Sequence, residues 1–392
     1  MLQEMTNLNL LIINDRGISG GGTENRIRIL IDELLQINSV DKIFVIQRFG
    51  ENYSSERLKI ITARSTMHSL ILTAQNMIKS KINIVQVHNL ASLTPLSLLI
   101  TKLFRKPVIF FAHDYWPICN YKNFINPLKA ASDKLCDAPL GRNCRRCISW
   151  KGKIKQLVWN KIINLANIGV ASGETVRKVY ENNNLLKNKW VEITPWIALD
   201  KFAYSDDYSQ RENILFVGSL IEFKGAWVLA KALKYIKKEF PDIKTVFIGD
   251  QQAEDKKNIE NIGLKDGTSD NMIFLGKQSW DEIKKEHDKA IVYVCSTVCM
   301  ETFGLNWAEA MASGVPIVAS RIGSLPDFLE NRAILVEPRN AEELGIAIIK
   351  LLKDKKLRNE LSEKGVKFAE DNFSIHNAVQ SLLKIYERLA AR

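Results

Sequence analysis

The sequence predicts an α/β protein built from two doubly wound parallel-sheet domains. Three observations carry that prediction. Short apolar runs rich in β-branched residues alternate with longer stretches of helical period, the pattern of parallel strands joined by crossover helices. The runs fall into two series separated by ITPWIALDKFAYSDDYSQREN, a polar stretch with one proline and no period, which places a junction near residues 194–212. Finally, 392 residues with 46% hydrophobic and 25% charged side chains supply material for two cores, and that composition excludes a disordered or fibrous chain.

In the first series, strands are expected at residues 9–14 (NLLIIN), 42–46 (KIFVI), 84–88 (IVQVH), 108–113 (VIFFAH) and 167–172 (NIGVAS). The second series starts with 213–219 (NILFVGS) and 244–250 (KTVFIGD), and continues through 272–276, 291–296, 316–320 and 333–337. From Ala341 onward, apolar residues at helical spacing (Leu344, Ile348, Leu351; Leu357, Leu361; Ala378, Leu382, Ile385, Leu389) predict three closing helices, expected to cover the second sheet. The last of them, 376–392, is set apart as a helix able to pack back on the first domain.

No basic region precedes a long apolar stretch at the amino terminus, and nowhere do eighteen apolar residues run together. A reducing interior is therefore expected, with six cysteines read first as thiols or metal ligands. The net charge of +11 points to an anionic partner: nucleic acid, a phosphate-bearing ligand or anionic lipid.

Ligands of doubly wound sheets collect beyond the carboxyl ends of the strands, so candidate residues are sought there. After the first strand, Gly20, Gly21 and Gly22 lead into a helix, where bare backbone can approach an anion; a tight turn reads the same way. The strongest constellation is CMETFGLNWAEAMASGVPIVASRIGSLPD. Glu301 precedes a helix that begins near Leu305, and Glu309 projects from its second turn, so both carboxylates can face one ligand. The N–H groups of Gly304 and Leu305, at the positive end of that helix, suit a pyrophosphate.

With E-x7-E, EAMASGVPIVAS and G-S-x-P-D, the chain resembles the retaining glycosyltransferases of family 4, which have the GT-B fold of two facing Rossmann-like domains with the donor cleft between them. The likeness extends to GGxE near the start, HD at Asp114 and KG at Lys224. It implies an acceptor-side domain over 1–195, with an insertion near 119–160, and a nucleotide-sugar-binding domain over 196–375. By the same resemblance Glu301 contacts hydroxyls of the donor sugar, Glu309 holds the ribose, and Phe303, Gly304 and Leu305 line the phosphate seat. Lys224 places its ammonium on the departing diphosphate, where a fixed cation stabilises growing charge. His113 bonds an outer hydroxyl of the sugar beside the anomeric centre; Gly21 and Gly22 sit under sugar or phosphate; Lys277, after Gly276, lies where the base is read. Ser219 stands where the family often has an arginine, so one phosphate cation is missing or comes from elsewhere. His68, His88, His287 and His376 lack such context and are expected to be structural or solvated.

Cys119, Cys136, Cys144 and Cys147 match a tetrahedral zinc site in number, with a C-x2-C arm; one or two disulfides, or thiols, remain open. Between Cys119 and Leu165, ten basic residues face two acidic ones, with Trp150 and Trp159 among them. That mixture fits an anionic membrane surface over 119–165 as well as a solvated face. The expected activity is transfer of a hexose from a UDP- or GDP-sugar to a glycan or lipid-linked acceptor. No metal cofactor is expected for catalysis, and the place expected for the enzyme is the cytoplasm, peripheral at the inner face of a membrane. A nucleotide-sugar epimerase of the same architecture is the alternative among enzymes. From another class, the Cys-rich segment could be a zinc-stabilised nucleic-acid-binding module, but no such motif is present and no nucleic acid is expected as a partner.

Overall fold

The computed structural model describes residues 7–15, 22–90, 93–119, 150–204 and 211–390. The chain divides into two units, Met1–Trp196 with Ile375–Arg392, and Ile197–Ser374. The first unit runs β1 (Leu8–Asn14), α1 (Gly22–Leu34), β2 (Val40–Gln47), β3 (Tyr53–Ser54), β4 (Leu58–Thr62), α2 (Thr66–Lys79), β5 (Ile84–Asn89), α3 (Leu96–Leu103), β6 (Val108–Phe111), α4 (Trp150–Ile163), β7 (Ile168–Ala171), α5 (Glu174–Asn182) and β8 (Trp190–Glu192). Its sheet has the order β3-β4-β2-β1-β5-β6-β7-β8, parallel throughout except for β3 against β4. The central strands read as unbroken apolar runs because helices cover both faces: Leu10, Leu11, Ile12 and Ile13 are all buried.

The second unit follows with β9 (Asn213–Val217), α6 (Ala226–Ile236), β10 (Lys244–Ile248), α7 (Ala253–Asp266), β11 (Met272–Gly276), α8 (Trp280–Lys289), β12 (Ala290–Cys295), α9 (Leu305–Ala312), β13 (Ile317–Ser320), α10 (Leu325–Leu329), β14 (Ile334–Val336), α11 (Ala341–Lys353) and α12 (Lys355–Asn372). All six strands are parallel in the order β11-β10-β9-β12-β13-β14. Strand order reverses between β9 and β12 here, and between β1 and β5 in the first unit. At such a switch point the two following loops leave in opposite directions and open a crevice.

The closing helices require a correction. The first two, α11 and α12, belong to the second unit, but α13 (Ile375–Ala390) does not cover the second sheet and instead packs on the first unit, the other placement expected for 376–392. Its Val379, Leu382 and Tyr386 join Ile27, Leu30 and Ile31 of α1 in the core of the first unit. The helix carries a clean apolar stripe, and such a stripe states that a helix must be covered without stating by what. The sequence reading also lacks β3, β4 and β8. β3 and β8 are the edge strands and β4 lies next to the edge; all three are two to five residues long and partly or fully exposed, and so without a long apolar run to mark them.

Candidate active site

In the second unit, Lys224 and Glu301 meet at the switch point. Lys224 ends a 3-10 turn, Glu222–Lys224, that follows β9, while Glu301 lies in the loop after β12. Lys224 Nζ donates to Glu301 Oε1 at 2.6 Å, and Thr297 Oγ1 lies 3.2 Å from the same oxygen. Three further bonds staple the two loops together. Val298 N donates to Phe223 O at 3.0 Å, Thr297 Oγ1 to Phe223 O at 3.1 Å, and Ser296 Oγ to Gly225 O at 2.8 Å. Gly225 makes this approach possible: its φ is +78°, and a Cβ there would stand 1.7 Å from Ser296 O. Burial opposes the lysine charge, but the Glu301 carboxylate outweighs it and holds the Lys224 ammonium above its usual range. The lysine is a cation at every physiological pH.

Lys224, Thr297, Glu301, Gly304 and Asn306 line one pocket at the ends of β9 and β12. Asn306 Nδ2 donates to Val217 O at 2.7 Å and fixes the first turn of α9 against β9. The amino end of this eight-residue helix therefore opens beside the Lys224 ammonium, with Gly304 as its N-cap. Unsatisfied N–H groups and a fixed cation on one pocket form a seat for a multiply charged anion.

Glu309 sits one helix turn deeper in α9 and is 6% exposed. Desolvation pushes its carboxyl up to about 7. Phe303 turns its ring into an aromatic cluster, with ring centroids 4.8 Å from Trp307, 5.0 Å from Phe328 and 5.5 Å from Phe373. Only its backbone remains for a ligand, so its side chain belongs to packing rather than to the donor seat. Leu305 opens α9, Ser219 follows β9 and is partly buried, and Lys277 follows β11 and is exposed. None of these three lines the pocket of Lys224 and Glu301.

His113 belongs to the first unit, just beyond β6. Its Nε2 lies 2.8 Å from Nδ1 of His88 at the end of β5, and the two imidazoles stack with centroids 5.0 Å apart. Sequence reasoning missed His88 as a partner of this site, treating it as structural or solvated. The signal that could have found it is the pairing of β5 with β6, which aligns Val87 with Phe110 and brings the two strand ends side by side. Burial, then the charge of Arg26 and the neighbouring His88, holds His113 well below the usual histidine value, so the ring is neutral.

Gly22 opens α1 and is exposed, whereas Gly21 lies outside the described residues. Cys136, Cys144 and Cys147 lie outside them too, and Cys119 is buried after β6. The zinc reading is therefore not addressed by the described residues, among which no group of three metal-ligating side chains occurs. Burial chiefly pushes the thiols of Cys295 and Cys299 up to about 12; Cys299 is buried, whereas Cys295 is half-buried and lines the pocket of Lys224 and Glu301.

Residues 200–368 match the family of glycosyl transferases group 1. This region belongs to that family. Spore coat protein SA of Bacillus subtilis (strain 168) is 30% identical over 45% of the chain and 49% of its own length. The chain spans about half the length of this and other curated relatives it matches. Among solved structures, sucrose-phosphate synthase from Thermosynechococcus elongatus superposes with a TM-score of 0.76 at 17% identity, covering 98% of this chain and 100% of that one. Alr3699/HepE of Anabaena in complex with UDP-glucose superposes with a TM-score of 0.73 at 13% identity, covering 97% and 100%. At these identities the likeness concerns the fold, which is GT-B. The pocket of Lys224 and Glu301 lies wholly inside the group 1 glycosyl transferase region.

Proposed function

We propose that the protein is a retaining glycosyltransferase of family 4 that moves a hexose from a nucleotide sugar to a hydroxyl of a glycan or lipid-linked acceptor. The observation that carries this reading is the Lys224–Glu301 pair beneath the amino end of α9. In the reaction the bond from the anomeric carbon to the diphosphate oxygen breaks, and a bond from that carbon to the acceptor oxygen forms on the same face. The acceptor proton passes to the departing diphosphate. Negative charge grows on that diphosphate in the transition state, and a preorganised ammonium with helix N–H groups stabilises it without reorganising at the moment of reaction. The reading assigns this task to Lys224, Gly304 and Leu305 rather than to a metal ion. Glu301, ion-paired with Lys224, accepts hydrogen bonds from sugar hydroxyls, and Glu309 accepts from the ribose. His113 contacts an outer hydroxyl of the sugar as a neutral imidazole.

UDP-glucose stands in the complex of the Anabaena neighbour, so UDP-sugars lead the donor panel, ahead of GDP- and ADP-sugars. A ligand that binds only the folded chain raises its melting temperature. Stabilisation by one nucleotide sugar, absent in Glu309→Ala, is the expected result; a panel in which no member acts removes the reading.

The acceptor side of the proposal includes a membrane surface. Helix α4 exposes Trp150, Ile154, Leu157 and Val158 at 67%, 53%, 65% and 48%, a spacing that puts all four on one face. The helix carries four lysines and no acidic residue. An apolar face flanked by lysines suits the headgroup region of an anionic bilayer, and this is the occupant we assign to it. Among the described residues no helix is long and apolar enough to cross a membrane, so the association would be peripheral.

A further inference from the structure

Four side chains of the first unit form one polar chain, buried except at its half-buried His113 end. His113 Nε2 lies 2.8 Å from His88 Nδ1, and His88 Nε2 lies 3.1 Å from Gln86 Oε1. Gln86 Nε2 donates in turn to Tyr386 Oη of α13, a residue 300 positions away in sequence. His88, Gln86 and Tyr386 are at most 1% exposed. The ring of His88 lies 4.3 Å from Phe111 and 5.0 Å from His113, which are 5.9 Å from each other, and all three rings are nearly parallel.

The direction of this chain is set by counting protons. Burial, then the Arg26 charge, holds His88 down to about 3 and His113 well below its usual value, so each ring carries one N–H. The Gln86 amide nitrogen is committed to Tyr386, so its oxygen faces His88 and must receive a proton. His88 is therefore protonated at Nε2 and bare at Nδ1. The bare nitrogen must in turn receive a proton, which places the N–H of His113 at Nε2 and its lone pair at Nδ1. We propose that Gln86 and His88, anchored by Tyr386 of the carboxyl-terminal helix, are positioning residues that fix His113 as its Nε2–H tautomer, so that the ring meets a substrate hydroxyl as a hydrogen-bond acceptor. With the amide reversed every proton in the chain would move one place, and His113 would become a donor at Nδ1. The inference rests on the reading of His113 as a sugar contact.

Two-bond nitrogen–proton correlations of histidine-labelled full-length protein report each ring's tautomer without any assay of transfer. Wild-type protein should show His113 and His88 each protonated at Nε2 alone. A His113 protonated at Nδ1, or a mixture in the wild type, overturns the proposal. Gln86→Leu should turn His113 into a tautomer mixture and lower kcat for transfer by about tenfold or more at unchanged donor KM, as loss of an orienting partner does. Gln86→Glu, which keeps an acceptor toward His88, should restore the single tautomer. Because Gln86 is buried in β5, Tyr386→Phe provides a second variant that keeps the ring and removes only the anchor. If the tautomer does not respond to Gln86→Leu or to Tyr386→Phe, the proposal fails and the donor site of the second unit is untouched. If it responds while kcat holds, the chain positions His113 as stated and the placement of His113 at the sugar is what fails.

Discussion

Lys224 Nζ lies 2.6 Å from Glu301 Oε1 across a switch point of the second sheet, although the two are 77 positions apart in sequence. A cation held this way is already in place when charge develops on a leaving group. Lys224→Ala should therefore lower turnover by about 10²–10³-fold, the effect of removing one preorganised stabilising donor. Glu301→Ala should lower kcat more than it raises donor KM, because hydroxyl contacts tighten as the sugar flattens. Steady-state transfer measured against donor concentration separates the two effects, and full activity in both variants would remove the site assignment.

Glu309 combines a stability cost with a binding role. Its folded value of about 7 lies above the ordinary glutamate value of 4.5, so between those pH values the unfolded chain releases a proton that the folded one keeps. Its contribution to stability is therefore full below pH 4.5, falls as pH rises to 7, and levels off above. Glu309→Gln should melt higher than wild type at pH 8, with the advantage shrinking toward pH 5, while nucleotide-sugar binding weakens by about 1.5–3 kcal/mol. Equal melting temperatures at both pH values would contradict the buried carboxylate.

Three histidines act with the opposite sign, His88 and His287 buried and His113 half-buried. His88 and His287 are held down to about 3 and His113 well below the usual value, chiefly by burial in each case. Stability from these groups is complete above their unfolded value near 6.5 and is lost as pH falls below it, with a slope of up to about 1.4 kcal/mol per pH unit for each ring. Urea unfolding at pH 7.5, 6 and 5 should show the midpoint dropping steadily, and a midpoint that does not move over this range would refute the neutral, buried state.

Gly225 and Gly267 share a positive φ, +78° and +68°, and differ in their surroundings. A Cβ at Gly225 meets Ser296 O at 1.7 Å, whereas one at Gly267 meets nothing within 4 Å. Gly267→Ala should cost only the left-handed backbone penalty of about 1–2 kcal/mol. Gly225→Ala should cost more and also lower turnover, because the backbone must shift and carries Lys224 with it. Thermal melts of the two variants side by side test the comparison.

For α4, the expected result is sedimentation of the protein with vesicles containing anionic lipid and not with purely zwitterionic ones, weakening as salt rises. Leu157→Asp, at an exposed position, should reduce vesicle binding and leave the folding free energy within about 0.5 kcal/mol of wild type. Equal binding to both kinds of vesicle would argue against the assigned surface.

What the amino-acid sequence determines by itself is whatever has a local physical cause. The central strands of both sheets announce themselves as β-branched runs because both faces are covered, and α9, with Glu301 in the loop before it and Glu309 within it, is marked by a helical period and a glycine at its start. The seat formed by Gly304, Lys224 and Glu301 was legible because motifs carried it, although nothing in a 77-residue separation states a 2.6 Å contact. Three features were decided only by the tertiary structure. Phe303 sits inside a motif yet turns into the aromatic core, since the cluster of Trp307, Phe328 and Phe373 exists only once α10 and the end of α12 have packed. His88 looked like a lone histidine until the order of β5 and β6 set it against His113. The apolar stripe of α13 demanded burial, and its partner was chosen by the core of the first unit, which offered a matching surface beside α1. Periodicity and chemistry are written along the chain, whereas strand order and helix docking depend on which distant surfaces bury one another best, and that choice is made only in the folded molecule.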